Sequence, residues 1–239
     1  MKTVYHASES RGKADHGWLQ SRHTFSFADY RDPERMGFGV LRVINDDSVA
    51  GGGGFTPHPH QNMEIISIPL EGDLAHKDST GHSGIIRKGD IQVMSAGTGV
   101  VHSEMNANAD RPVKFLQIWV RPNVLAVEPR YQQLSIAAYA KPNEFQQILS
   151  PNPDDEGVWI HQDAWFSLAA FEQGTTRSYR IRKNGNGVYA FVIRGEAKIA
   201  GTKLNERDGL GISDTEEIAV EALADAEILL MEVPMNAAR

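Results

Sequence analysis

The amino-acid sequence predicts an all-β protein built from two tandem barrels, with a few short helices. Short runs of alternating or β-branched apolar residues recur along the chain, for example at 39–44, 63–68 and 115–120. Turn residues such as Gly, Asp and Asn follow these runs at intervals of about eight to twelve residues, which is typical of a sandwich or barrel. Apolar residues at helical spacing are scarce, so we expect strands to form the body of the protein.

The second half of the chain repeats the order of the first half. Residues 188–196 resemble residues 65–73 in the sequence of apolar and turn residues. A second hairpin signal follows each segment, at 87–90 in the first half and at 207–209 in the second. This repetition predicts an internal duplication of one barrel unit.

The expected domains follow from this duplication. Residues 1–135 are assigned to the N-terminal barrel and residues 158–239 to the C-terminal barrel, with a connection over residues 136–157. The segment 142–149 within the connection is predicted to form one short helix. The following segment 150–157 is rich in Pro, Asn, Asp and Gly and is predicted to be a loop.

The composition of the 239 residues excludes several classes of function. Lys and Arg number 24 and Asp and Glu number 31, and the resulting net charge of −7 argues against a protein that grips nucleic acid through a basic face. Cysteine is absent, which excludes disulfides, thiolate nucleophiles and iron–sulfur clusters. Any metal site must therefore use His, Asp, Glu or Asn.

The same sequence predicts neither a membrane span nor an export signal. No apolar run approaches the ~20 residues of a membrane span. The first residues lack the apolar core of a signal peptide. We therefore expect a cytoplasmic protein with no membrane partner and no direct nucleic-acid partner.

The first candidate ligand cluster is the segment 55–64. Side chains two residues apart on an extended strand share a face, so His58 and His60 can reach one point in space. Glu64 has the same parity and is expected on that face if no bulge intervenes. The prolines Pro57 and Pro59 cannot donate to a sheet ladder, which predicts a strand start or an irregular edge.

The second candidate cluster is the segment 97–106. Here His102, Glu104 and Asn106 share one parity on an extended strand, after a Gly-rich approach that allows a sharp turn. Neither cluster contains a Lys or Arg that would oppose a cation. Two strands that each present ligands at such spacing can close around one metal ion across a barrel.

The combination of the two clusters predicts a metal centre, although a single H-x-H pair can equally lie on an exposed strand face. Three imidazoles and a carboxylate suit Fe(II), Mn(II), Co(II), Ni(II), Cu(II) or Zn(II) and leave open positions for water or substrate. The remaining histidines are isolated in the sequence and are interpreted as surface or hydrogen-bonded groups; they are His6, His16, His23, His76, His82 and His161.

At these residues the sequence resembles the cupin superfamily, whose barrels are similar to jelly rolls, and more closely the pirin family of two-barrel cupins. The first cupin motif, G-x5-H-x-H-x3-E-x6-G, is matched at Gly52, His58, His60 and Glu64, with Gly72 one residue late. The second motif, G-x5-P-x-G-x2-H-x3-N, is matched at Gly89, Gly97, His102 and Asn106. In the second motif Ser95 replaces the proline, and two residues are added before His102. The resemblance is specific over residues 10–135 and beyond them rests on size and strand order.

The resemblance implies a particular ligand set. In pirin-like proteins one divalent transition metal, with Fe(II) favoured over Mn, Co, Ni, Cu or Zn, is held by residues that correspond to His58, His60, His102 and Glu104. Glu64 holds a position that is a ligand in many other cupins, and the pirin pattern implies that it lies outside the coordination sphere. The C-terminal repeat has no clustered His and Glu, so we expect a cupin-like barrel without a metal.

The resemblance also implies quercetin 2,3-dioxygenase activity, in which a flavonol reacts with O2, opens its ring and releases carbon monoxide. Glu104, or failing that Glu64, is the candidate general base for the substrate's 3-hydroxyl proton. The residues Phe55, Met63 and Met94 are candidate apolar walls of the substrate pocket, although ordinary core packing would explain each of them equally well.

Two other functions compete with this interpretation. A metal-binding regulatory or redox-sensing protein would act through a protein partner, since the acidic charge disfavours direct contact with nucleic acid. A sugar or nucleotide-sugar isomerase of the cupin type ranks last, because such sites generally do not need this ligand set.

Overall fold

This computed structural model describes residues 1–236, which form twenty-two strands and two single-turn 3₁₀ helices. The helices are Ser8–Ser10 and Ala137–Tyr139. The strands are β1 (Lys2–His6), β2 (Gly12–Asp15), β3 (Leu19–His23), β4 (Leu41–Val49), β5 (Gly54–His60), β6 (Glu64–Glu71), β7 (Asp73–Asp78), β8 (Ser83–Arg87), β9 (Asp90–Ser95), β10 (Val100–Asn106), β11 (Val113–Val120), β12 (Arg130–Ser135), β13 (Gln146–Ser150), β14 (Val158–Trp159), β15 (Trp165–Phe171), β16 (Thr176–Arg180), β17 (Asn186–Arg194), β18 (Ala197–Ile199), β19 (Thr202–Leu204), β20 (Gly209–Ser213), β21 (Glu217–Ala222) and β22 (Ala226–Pro234).

The strands build two barrels of the same design. The first barrel has a seven-stranded sheet in the order β12-β9-β6-β11-β4-β3-β2 and a four-stranded sheet in the order β5-β10-β7-β8. The second barrel has a seven-stranded sheet in the order β1-β20-β17-β22-β15-β13-β14 and a four-stranded sheet in the order β16-β21-β18-β19. The predicted all-β tandem of two cupin-type barrels is confirmed.

Strand β1 departs from the domain ranges expected from the sequence. It lies within residues 1–135, yet it pairs antiparallel with β20 of the second barrel, over Lys2–His6 against Gly209–Ser213. In the first barrel the corresponding edge position, beside β9, is taken by β12. Strand β1 thus covers the edge of β20, whose backbone N–H and C=O groups would otherwise be unpaired. Residues 237–239 of the expected second range lie outside the described residues.

The short helix predicted over 142–149 is wrong. Asn143 adopts a left-handed conformation with φ of 61°, and Gln146–Ser150 forms strand β13, which pairs antiparallel with β15. Ile148 and Leu149 are both fully buried, one step apart in the chain. Strand pairing and burial on both faces of the sheet outweigh the weak helical preference of this segment.

The largest apolar core lies between the two seven-stranded sheets. It joins Ile66 and Ile68 of the first barrel to Phe191 and Leu229 of the second. Alternate residues on β17, including Ala190, face the opposite way into the second barrel's own core. Burial on both faces explains the uninterrupted apolar runs of these central strands, and each large side chain contributes roughly 1.5–3 kcal/mol.

The contact of the N-terminal strand with the second barrel centres on Asp208, which is 1% exposed. Its carboxylate accepts hydrogen bonds from the Tyr5 hydroxyl, the Ser8 N–H and the Asn205 N–H, each at 2.8 Å. The first two bonds join residues separated by about two hundred positions in the chain.

We expect Asp208→Ala to lower the free energy of unfolding by about 2–4 kcal/mol, because three partly buried hydrogen bonds lose their shared acceptor. Urea denaturation measures the change. Asp214→Asn is the control, since its ion pair with Lys2 is largely exposed and Asn tolerates the left-handed backbone of Asp214, so stability should stay nearly unchanged. Equal stability of the two variants would contradict a structural role for Asp208.

Candidate metal centre

Strand β5 presents the first two histidines at the edge of the four-stranded sheet. It pairs only with β10, so the missing N–H groups of Pro57 and Pro59 cost no ladder bond on its free side. The register places His58 opposite His102, and β5 carries one extra residue before Glu104 meets Phe55. The irregular edge strand predicted from the prolines is therefore present.

Strand β10 presents the second group of side chains to the barrel interior. His102, Glu104 and Asn106 are all buried, while the residues between them are more exposed, as the alternation predicts. Asn106 has a structural role, because its side-chain amide donates hydrogen bonds to the backbone carbonyls of Val49 and Arg111 at 3.0 and 2.7 Å. His102 and Glu104 remain for chemistry.

The structure brings His58, His60 and His102 together. Their ring centroids are 4.5 Å apart for His58 and His102, 4.8 Å for His58 and His60, and 4.9 Å for His60 and His102. One nitrogen of each ring lies within 4.8 Å of the other two. The arrangement suits a single ion held by imidazole ligands.

The electrostatics of His60 and His102 also fit a metal ion. Burial, reinforced by His58 and His60, lowers the pKa of His102 to about 2, and burial lowers the pKa of His60 to about 4. Both rings are therefore neutral near pH 7, as a ligand must be. His102 Nδ1 and Nε2 are both buried without a hydrogen-bond partner, and His58 Nδ1 is engaged by the Thr56 carbonyl at 2.8 Å. A bound cation would give one of the unpartnered His102 nitrogens a partner.

Glu104 lies next to His102 but forms a different cluster from the three histidines. One oxygen of Glu104, one nitrogen of His102 and one nitrogen of His76 all lie within 4.8 Å of one another. Its carboxylate accepts hydrogen bonds from Ser67 Oγ at 2.9 Å and Gln117 Nε2 at 2.6 Å. Burial outweighs these bonds and raises the pKa of Glu104 to about 7. His76 is isolated in the sequence, and the cross-strand pairing of β7 with β10 brings it to this cluster.

Glu64 does not share the face of His58 and His60, so the parity expectation is wrong. Strand β5 ends at His60, and Asn62, with φ of 50°, turns the chain before β6 begins at Glu64. Glu64 then lies on the same face as Ile66, toward the second barrel, where it is 1% exposed and accepts a hydrogen bond from Ser95 Oγ at 2.6 Å. It does not line the cavity described next.

A cavity of about 420 Å³ opens beside the three histidines. Its aromatic walls are Trp18, Phe27, Phe55 and Trp119, and its polar lining includes His16, Ser21, His23, Asn45, Asp47, Glu104 and Gln117. Of the three wall residues expected from the sequence, Phe55 lines the cavity, whereas Met63 and Met94 belong to a separate packing cluster. A larger hollow of about 1130 Å³ lies elsewhere and has no histidine in its lining.

The remaining lining residues come from strands far from the two motifs. Two of them, Asn45 and Gln117, are paired in one row with Ser67 and Gln92, across β4, β11, β6 and β9. Polar residues at alternate positions of otherwise apolar strands are the signal that could have indicated them. Asp47, two residues after Asn45, has a pKa raised to about 7 by burial.

The same row in the second barrel is almost entirely apolar. Ser167, Leu230, Ala190 and Leu210 are paired across the corresponding strands. The inward positions of β21 are Ile218, Val220 and Ala222, where β10 has His102, Glu104 and Asn106. Among residues 1–236, the clusters of potential metal ligands all lie in the first barrel.

Two tandem β-barrels with a histidine cluster inside the first one define a two-barrel cupin. Comparison with known families agrees with this class. The family model of pirin matches residues 4–120, and the model described as the quercetinase C-terminal cupin domain matches residues 147–233.

Individual relatives match nearly the whole chain. A protein named quercetin 2,3-dioxygenase from Escherichia coli K12 is 40% identical, over 95% of this chain and 96% of its own length. A pirin-like protein from Caulobacter vibrioides is 39% identical, over 92% and 95%. The crystal structure of the bacterial pirin YhhW from Escherichia coli in complex with nickel(II) superposes with a TM-score of 0.92, at 39% identity and with 98% and 99% coverage. The chain belongs to the pirin family.

No helix among residues 1–236 has the length and apolar character needed to cross a membrane.

The position of Glu64 predicts a pH-dependent stability. Burial is the main effect, and it raises the pKa of Glu64 from 4.5 to about 7 despite the Ser95 hydrogen bond and the nearby charge of Arg130. A carboxyl whose folded pKa exceeds its unfolded pKa contributes fully below about pH 4.5, and this contribution is lost as the pH rises to about 7. Between pH 5 and pH 8 we expect wild type to lose about 2–3 kcal/mol more stability than Glu64→Gln.

Urea denaturation of both proteins in the presence of a chelator measures this difference without a contribution from metal. The other buried carboxyls titrate equally in the two proteins, so their contributions cancel in the difference in stability. Parallel pH profiles would show that Glu64 is not buried against the second barrel as described.

Proposed function

We propose that this protein is a metal-dependent dioxygenase of the pirin type that opens the ring of a flavonol such as quercetin with O2. The observation that carries this function is the convergence of three imidazoles beside a buried carboxyl, at the wall of an aromatic cavity. The Escherichia coli relative named quercetin 2,3-dioxygenase and the nickel complex of the Escherichia coli pirin support it.

The ligands proposed for one divalent ion are His58, His60, His102 and Glu104. Fe(II) is favoured, with Mn, Co, Ni, Cu and Zn as alternatives, because imidazole and carboxylate accept all of these ions. The three histidines already converge, and Glu104 is the neighbouring carboxyl on the same strand as His102. When bound, the ion supplies Lewis-acid stabilisation of the substrate's 3-oxyanion and its adjacent carbonyl.

The cavity provides binding and exclusion of water. Trp18 and Phe55 form an edge-to-face pair with centroids 5.3 Å apart, and Phe27 and Trp119 form another at 5.4 Å. Such rings suit a flat aromatic substrate, which would be held by contact with their faces and edges. A volume of about 420 Å³ is within the range of small-molecule sites.

Glu104 is the proposed general base. Its carboxylate takes the proton of the substrate's 3-hydroxyl, and Ser67 and Gln117 hold the carboxylate in place through their hydrogen bonds. Burial raises the pKa of Glu104, and this environment favours the uptake of a proton by its carboxylate. The flavonolate then reacts with O2 to give a depside and carbon monoxide, with no other reductant or oxidant consumed. Glu64, on the opposite face of the sheet, has no part in this step.

We expect His58→Ala, His60→Ala and His102→Ala each to lose most of the bound metal, with affinity falling by more than about 100-fold, because a ligand contributes more than an outer-shell partner does. Titration of the metal-free proteins with Ni(II) and metal analysis of the loaded ones provide the measurement. His82→Ala is the control, since His82 is partly exposed and lies outside the three-histidine cluster. Full metal retention by all three variants would exclude this centre.

Flavonol turnover tests the reaction itself. Metal-loaded wild type should consume quercetin and O2 in equal amounts and release carbon monoxide. We expect Glu104→Gln to lower kcat by about 10²–10⁴-fold, because the proton acceptor is lost. Tight metal binding without turnover of any flavonol tested would favour the regulatory alternative, in which the metal serves an interaction with a protein partner.

A further inference from the structure

His76 lies beside the proposed metal centre and has no role in the function described so far. It is 2% exposed on β7, directly opposite Glu104 in the register with β10. Its ring centroid is 5.4 Å from that of His102, and one nitrogen of each ring lies within 4.8 Å of the other. A histidine buried this deeply needs partners for both of its ring nitrogens.

One of those nitrogens is satisfied by Asp78. His76 Nε2 is 3.0 Å from Asp78 Oδ2. The other oxygen, Oδ1, accepts hydrogen bonds from the Thr80 N–H and hydroxyl at 2.9 and 2.7 Å and from the His82 N–H at 3.1 Å. Asp78 thus receives three donors on one oxygen and faces His76 with the other, which is the arrangement of an ionised carboxylate.

An ionised Asp78 fixes the tautomer of His76. A carboxylate can only accept, so the proton of the neutral imidazole lies on Nε2. Nδ1 is then a bare lone pair, and it is buried without a partner. It lacks a donor from Glu104, whose carboxylate is already held by Ser67 and Gln117.

His102 lacks a hydrogen-bond acceptor for its ring N–H. Both of its ring nitrogens are buried without a partner. Once one nitrogen binds an ion, the other keeps its proton and requires an acceptor. His76 offers an unpartnered acceptor in its Nδ1, and one nitrogen of its ring lies within 4.8 Å of one nitrogen of His102.

We propose that Asp78 and His76 position His102 for metal binding, with His76 Nδ1 accepting the N–H that His102 keeps when its other nitrogen coordinates the ion. Metal-ligating histidines generally donate their second N–H to a carboxylate, a carbonyl or water. Here a second imidazole stands between the ligand and the carboxylate. His76 and Asp78 are positioning residues, and their role requires the metal centre proposed above.

The first test compares metal affinity in four proteins: wild type, His76→Phe, His76→Gln and His82→Phe. We expect Ni(II) affinity to fall 10- to 100-fold in His76→Phe, which keeps a ring but offers no acceptor. His76→Gln retains both a donor for Asp78 and an acceptor for His102, so most of the affinity should return. His82→Phe is the matched control, because His82 stacks on Tyr131 but is partly exposed and keeps its backbone N–H.

The second test detects the hydrogen bond itself. In the Co(II)-loaded protein, the N–H protons of coordinated imidazoles give strongly shifted proton NMR signals, and a signal protected from exchange with water is expected for His102. That protected signal should be lost in His76→Phe and present in His82→Phe. A general loss of packing would not remove one such signal alone.

The outcomes separate this role from the metal centre. If wild type binds no ion, the metal centre and the role of His76 both fail. If wild type binds one equivalent and His76→Phe matches it in affinity and in the protected signal, only the role of His76 is overturned. Binding of a second equivalent that disappears in His76→Phe would make His76 a ligand and would also overturn the positioning role.

Discussion

The burial of uncharged imidazole rings at one point inside the first barrel is the constraint on which the rest of the site depends. His60 and His102 are held where a proton is costly, so their lone pairs stay available near neutral pH. Burial also leaves both nitrogens of His102 without a protein partner. A barrel interior that keeps polar atoms unsatisfied loses stability, and a bound cation with an outer hydrogen-bond acceptor would recover it.

The two barrels differ in the polarity of their interiors. They share one strand order, but the second fills its interior with apolar side chains such as Leu230 and Val220, where the first has Gln117 and Glu104. The polar interior of the first barrel is supported from outside by the large apolar core between the seven-stranded sheets. This support allows the first barrel to tolerate a row of buried polar groups that would weaken an isolated barrel.

Three buried carboxyls with raised pKa values are sorted by the face on which they lie. Glu104 and Asp47 line the cavity, while Glu64 faces the second barrel. Only a carboxyl that reaches the cavity can exchange a proton with a substrate, so the perturbed pKa of Glu64 is a matter of stability. A raised pKa alone therefore does not identify a catalytic group.

The sequence by itself determined the all-β class, the duplication and the two histidine motifs, because these depend on local alternation and spacing. His58 with His60, and His102 with Glu104, are neighbours on single strands, and strand geometry fixes their faces. Only the tertiary structure decided the rest. The turn at Asn62 moved Glu64 to the opposite face, and the pairing of β7 with β10 brought His76 to His102. Strand β1 joined the far barrel for the same reason: cross-strand partners are chosen by the packing of the whole sheet, which no local pattern contains.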